Sequence, residues 1–176
     1  AGAGAILYPP VLTVRDDKGV FFITGGSLYD VFDAFGYAVA TDRLWQMEQY
    51  RRAATGRLAE ILGIGYLSQD VLMRTTGYSA AELQQQFESL DGEGKSAVQG
   101  YLDGVNRRIG EVVADPDLVP FEFKAIGAQL GAPFVPEPWT VADVLSWMAL
   151  MQRNFDPEAL DMGQVESAAL LQALGA

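Results

Sequence analysis

The sequence of 176 residues predicts an α+β fold, mostly helical, with a β-hairpin at its start. Three observations predict it. Short β-branched and aromatic runs, with Val11 and Thr13 on one side and Phe21 to Thr24 on the other, flank the turn-forming Asp16-Asp17-Lys18-Gly19. Between Leu28 and Thr55 there is no proline, and Val31, Phe32, Phe35, Val39, Leu44 and Met47 recur near helical spacing. Two later apolar runs open on capping patterns, Ser79-Ala80-Ala81-Glu82 and Thr140-Val141-Ala142-Asp143.

Taken in order, the hairpin covers residues 11 to 24 and Gly25-Gly26 ends it. One long helix follows from Leu28 to Thr55, bent near Gly36 and stopped by Gly56. A short helix from Leu58 to Leu62 stops at Gly63-Ile64-Gly65, and another from Tyr66 to Thr75 has Ser68 as its candidate cap. Ser79 and Glu82 open a helix over residues 80 to 90. Asp91-Gly92-Glu93-Gly94 breaks the chain before a helix from Lys95 to Val113, whose Val98, Leu102, Val105 and Ile109 share one face. Five of the eight prolines fall between Asp115 and Trp139. That stretch reads as an irregular, fixed wrap, held by burial of Phe121, Phe123, Phe134 and Trp139. Thr140 then caps a helix from Val141 to Asn154, Asp156-Pro157 interrupts it, and a last helix runs from Glu158 to Leu174.

Composition excludes much chemistry. With no histidine and no cysteine, the chain holds no Ser-His-Asp or Cys-His triad, no disulfide and no zinc finger. Only oxygen ligands remain, and these suit calcium or magnesium. Twelve basic residues against 23 acidic ones give a net charge of −11, which argues against a nucleic-acid partner. No apolar run approaches the ~20 residues that span a bilayer. The Ala/Gly-rich start lacks the basic region of a signal peptide, so a leader was either never there or has been removed. The apolar fraction of 49% leans beyond ordinary globular composition, which points to apolar surface covered by something outside the chain.

Three groups of residues are candidate sites. Val144, Trp147, Met148, Met151 and Phe155 form a stripe on the helix from Val141, readable as core packing or as the wall of an apolar pocket. Asp156, Glu158, Asp161 and Glu166 complement the dipole of the last helix, or one of them is a ligand in a shared calcium site. Arg43, Arg51, Arg52 and Arg57 with Asp42, Glu48 and Glu60 read as surface or interdomain ion pairs, since arginine is no base at neutral pH.

The order of several segments carries more. Val14-Arg15-Asp16, Ala34-Phe35-Gly36-Tyr37-Ala38-Val39-Ala40-Thr41-Asp42-Arg43-Leu44-Trp45-Gln46-Met47-Glu48, Arg51-Arg52 and Gly56-Arg57-Leu58-Ala59-Glu60-Ile61-Leu62-Gly63 resemble the small, α subunit of the penicillin acylase (penicillin amidase) family. Tyr101-Leu102-Asp103-Gly104-Val105-Asn106, Pro120-Phe121-Glu122-Phe123 and Pro136-Glu137-Pro138-Trp139-Thr140 with Asp143-Val144 extend the resemblance over residues 12 to 155.

The resemblance implies an N-terminal nucleophile hydrolase, made as a zymogen that cuts itself into α and β subunits. The present chain would be one domain, residues 1 to 176, unstable alone and completing an αββα fold with the β subunit. The new amino-terminal serine of the β subunit would attack an amide carbonyl, with its own α-amine as base. That amine replaces the missing histidine. No catalytic residue then lies in this chain. By the same resemblance Met151 and Phe155 line the acyl pocket, Arg153 is their charged neighbour, and Asp161, or failing it Glu158, is one ligand of a structural calcium shared with the β subunit. Arg153-Asn154 reverses the family's Asn-Arg order, and Phe21-Phe22 stands after Gly19-Val20 where the family commonly has Pro-His.

The expected activity is release of an acyl group from an amide such as penicillin G or V, in a periplasmic or secreted heterodimer. An N-acyl homoserine lactone acylase of the same family and a non-catalytic binding or assembly subunit are the alternatives.

Overall fold

The computed structural model describes residues 11–155. Its first element is the expected hairpin, β1 (Leu12–Arg15) against β2 (Phe21–Thr24), antiparallel, with Val14 opposite Phe22 and Arg15 opposite Phe21. The Asp16 carboxylate closes the turn by accepting from the amides of Lys18 and Val20, and Gly19 supplies the positive φ of 83° that the tight return needs. Arg15 then forks onto Asp42 at 3.1 and 2.9 Å, fastening the hairpin to the first helix.

That helix, α1 (Leu28–Thr55), begins at Ser27, whose hydroxyl accepts from the Asp30 amide, and ends at Gly56 in the left-handed conformation. The expected bend near Gly36 is not there. The helix breaks seven residues later, at Arg43 (φ −133°, ψ 19°), while Gly36 is buried against the backbone of Tyr101. A proline-free glycine reads as a weak point in sequence, yet here it is a contact point between helices.

α2 (Ala59–Leu62) and α3 (Leu67–Thr76) follow, joined by a single 3₁₀ turn at Ile64–Tyr66. Ser68 lies inside α3 and makes no cap. The capping carboxylate is that of buried Asp70, which accepts from the amides of Leu58 and Ala59 at 2.9 and 2.8 Å and so satisfies the start of α2 from a later helix. α4 (Ala80–Ser89) carries the expected reciprocal cap between Ser79 and Glu82. α5 (Gly92–Ala114) starts three residues earlier than its apolar pattern, because the Asp91 side chain accepts from the Gly94 amide and converts the apparent breaker into a cap.

The proline-rich wrap is partly helical. α6 (Phe121–Leu130) lies between Pro120, at its cap, and Gly131, which ends it at φ 70°. Proline is tolerated at a helix start, so flanking prolines bound this helix without breaking it. Phe123 is fully buried between the rings of Trp45 and Phe134, at 5.3 and 5.4 Å. Phe121, expected inside, is 78% exposed.

The core sits where α1 and α5 cross α7 (Val141–Phe155). Leu44 and Met47 of α1, Val105, Ile109 and Val112 of α5, and Val144 and Leu145 of α7 are buried in it. No helix among the described residues is long and apolar enough to cross a membrane.

Candidate functional site

Position on α7 decides what its side chains do. The helix starts from a doubly fixed point. Asn106 of α5 donates to the Trp139 carbonyl at 2.9 Å and accepts from the Trp139 amide at 2.7 Å, so it satisfies both backbone groups of one residue. Thr140 and Asp143 close the reciprocal cap beside it. Two segments far apart in sequence, around Tyr101 to Asn106 and Pro136 to Thr140, are thereby locked together.

The stripe on α7 divides along its length. Val144 is core, as the simpler reading expects. From Trp147 onward the same face opens. Trp147 is half-buried, stacked on Tyr101 at 6.2 Å and 14° and meeting Trp139 edge-on at 6.5 Å. Met148 is 44% exposed and Met151 half-buried. Trp147 and Met148 form one wall of an apolar cleft of about 390 Å³, with Phe32 and Phe35 of α1 and Leu90 and Tyr101 on the others. Met151 lies one turn beyond Trp147 and Met148, on the continuation of the stripe. The side chain of Phe155, the expected acyl-pocket partner of Met151, lies outside the described residues, as do Glu158, Asp161 and the expected last helix. Sequence spacing located the α7 wall. It missed Phe32, Phe35 and Tyr101, whose place in the cleft depends on how α1 and α5 cross.

Arg153 turns elsewhere. Two residues from Met151 it is about 200° around the helix. Its guanidinium donates to the Thr76 carbonyl at 2.6 Å and lies 5.8 Å from the Tyr78 ring, tying α7 to the link between α3 and α4.

The arginine-rich end of α1 is buried. Glu48, 1% exposed, sits between two guanidinium groups: Arg52 Nε donates to Oε1 at 2.6 Å, and Arg51 Nη2 pairs with Oε2 at 2.6 Å. Arg52 reaches on to Glu60 at 2.6 Å and Arg51 to the carbonyls of Pro138 and Glu137 at 3.3 and 3.4 Å. The expected surface pairs hold for Arg57 with Glu60 and for Asp42, which pairs with Arg15, but Glu48, Arg51 and Arg52 form an internal network. It is buried because the faces of Phe134 and Trp139 cover Arg52 and Arg51 at 5.3 and 5.8 Å. Arg57 and Arg52 hold the Glu60 carboxyl below its ordinary range by hydrogen bonding, against an opposing effect of burial. Burial alone pushes the Tyr101 hydroxyl above its ordinary range and keeps it protonated.

The described residues contain no group of three or more acidic side chains able to hold a metal ion.

Residues 10–176 match the penicillin amidase family. The chain is 34% identical to a penicillin G acylase of Escherichia coli over 163 residues, which are 92% of this chain and 18% of that protein. It is 33% identical to an acyl-homoserine lactone acylase of Pseudomonas aeruginosa, again over 92% of this chain and 18% of the relative. It is 36% identical to the penicillin acylase 2 proenzyme of a Pseudomonas strain, over 76% of this chain and 16% of the relative. The chain thus spans less than a fifth of the length of these curated relatives. Among solved structures, a thermostable penicillin G acylase from Alcaligenes faecalis superposes with a TM-score of 0.76 at 32% identity, covering 96% of this chain and 83% of that one.

Proposed function

Because the chain belongs to the penicillin amidase family, we propose that it is the α subunit of an amidohydrolase that releases an acyl group from a linear amide. The observation that carries the reading is a contrast in coverage. The chain accounts for 18% of a complete relative yet matches 83% of one chain of a solved acylase, the relation expected of a small subunit. A separate, larger β subunit then supplies an N-terminal serine and completes an αββα fold. Its Oγ attacks the amide carbonyl while the α-amine of the same residue takes the hydroxyl proton. That proton passes to the leaving amine as the C–N bond breaks, and water then cleaves the acyl ester. The absence of histidine and cysteine here is consistent with a base and nucleophile on the partner.

In this reading α7 supplies acyl recognition. Met151 and Phe155 contact the acyl group, whose burial contributes about 25 cal/mol per Å². Arg153 supports the pocket through its hold on Thr76. Asp161 is one oxygen ligand of a structural calcium, and the enzyme works in the periplasm or outside the cell. The match to the lactone acylase favours a second reading, with long aliphatic acyl groups as substrates and a homoserine lactone as leaving group.

One substitution tests the pocket. Phe155→Ala in the assembled enzyme is expected to change the ratio of kcat/KM for phenylacetyl and long aliphatic amides by tenfold or more, since even one methylene in such a pocket is worth roughly 1–3 kcal/mol. The melting temperature should stay nearly constant. Equal loss on every substrate, accompanied by a large drop in melting temperature, assigns Phe155 to the core and contradicts the proposal.

A further inference from the structure

The segment that leads into α7 has no regular structure, yet its backbone is fully engaged. From the Glu137 carbonyl to the Thr140 carbonyl every hydrogen-bonding group has a partner. Arg51 donates to the carbonyls of Glu137 and Pro138, and Asn106 serves both groups of Trp139. The Asp143 carboxylate accepts from the Thr140 amide, and the Val144 amide donates to the Thr140 carbonyl at 3.2 Å. Pro136 and Pro138 lack the amide that pairing with a strand or helix would use, so side chains do this work instead. Only Arg51 and Asn106 reach the segment from outside α7. The Arg51 contacts, at 3.4 and 3.3 Å, are long, and that guanidinium already faces Glu48. Asn106, at 2.9 and 2.7 Å, is the principal hold on where α7 begins.

That starting point bears on the cleft wall in two ways. The Trp139 ring, buried, meets Trp147 of the wall edge-on. The helix is also a lever: Met151 lies about 15 Å beyond Val141, so a tilt of about 4° carries it about 1 Å. Misplacement by about 1 Å is enough to cost roughly 100-fold in rate. We propose that Asn106 is a positioning residue for acyl recognition. It acts through Trp139, whose two backbone groups it holds, and so sets where the α7 wall stands and which acyl groups fit against it. The proposal rests on the reading of α7 as the acyl-recognition helix.

Asn106→Asp tests it in the assembled enzyme, because the shape and one acceptor remain while the donor facing the Trp139 carbonyl is lost. The variant is expected to change the ratio of kcat/KM for phenylacetyl and octanoyl amides of one leaving group by about fivefold or more. Val112→Ala, a buried truncation further along α5 and outside the cleft, is the comparison for lost stability alone. It should lower the melting temperature at least as far and leave the ratio within about twofold. A ratio unchanged by Asn106→Asp, or shifted equally by Val112→Ala, overturns the positioning role. Phe155→Ala in the same assay separates the levels. If it moves the ratio and Asn106→Asp does not, the pocket stands and this proposal falls; if neither moves it, the reading of α7 falls and takes the proposal with it. Where Asn106→Asp does not assemble, the milder Asn106→Ser, whose short hydroxyl cannot span both backbone groups, is judged by the same ratio.

Discussion

Glu48 is the side chain whose loss should be felt most. It is buried between Arg51 and Arg52, and the same two arginines carry the end of α1 to Glu60 and to the segment leading into α7. Glu48→Gln leaves two buried guanidinium groups short of one negative charge, and breaking a buried pair this way costs about 3–5 kcal/mol. Thermal unfolding of the assembled protein should show it, whereas Glu88→Gln on the exposed face should change little. A shift at Glu48 no larger than that at Glu88 would mean the network is solvated. The pairing was legible in sequence, because Glu48, Arg51 and Arg52 stand three and four residues apart. The burial was not, because its lids, Phe134 and Trp139, come from more than 80 residues away. Separation in sequence likewise hid Tyr101, on α5, from any reading of the α7 stripe.

Glycines set the closest contact between elements. Gly100 and Gly104 of α5, one turn apart, face the carbonyls of Tyr29 and Asp33 on α1, and Gly36 of α1 faces the carbonyl of Tyr101. A methyl group at position 104 would overlap the Asp33 carbonyl oxygen, which belongs to helix backbone and cannot step aside. Gly104→Ala should therefore push the helices apart and destabilise by about 1–3 kcal/mol. Gly110→Ala, in the same helix with open space around it, should stabilise by roughly 0.5–1 kcal/mol through helix propensity. Opposite signs in the two melting temperatures check the packing; the same sign at both positions would refute it. The starts of α4 and α7 were legible, since Ser79 with Glu82 and Thr140 with Asp143 bond locally. α6 was obscured by counting prolines without their places, and the break at Arg43 has no proline or glycine to announce it.

For the molecule as a whole, the apolar content that looked excessive in the composition has a location. Leu12, Val14 and Phe22 stand exposed on one face of the hairpin, Phe35 and Met148 at the cleft. Their number was legible in sequence, but their clustering needed the crossing of α1, α5 and α7. A chain that presents such faces and has neither histidine nor cysteine is, in this account, one part of an enzyme whose reactive serine belongs to another. The most direct test is the intact mass and amino-terminal sequence of every chain in the active protein purified from its native source. The account predicts two chains, the larger several times the mass of this one and beginning with serine. Amide hydrolysis by a preparation containing this chain alone would contradict it.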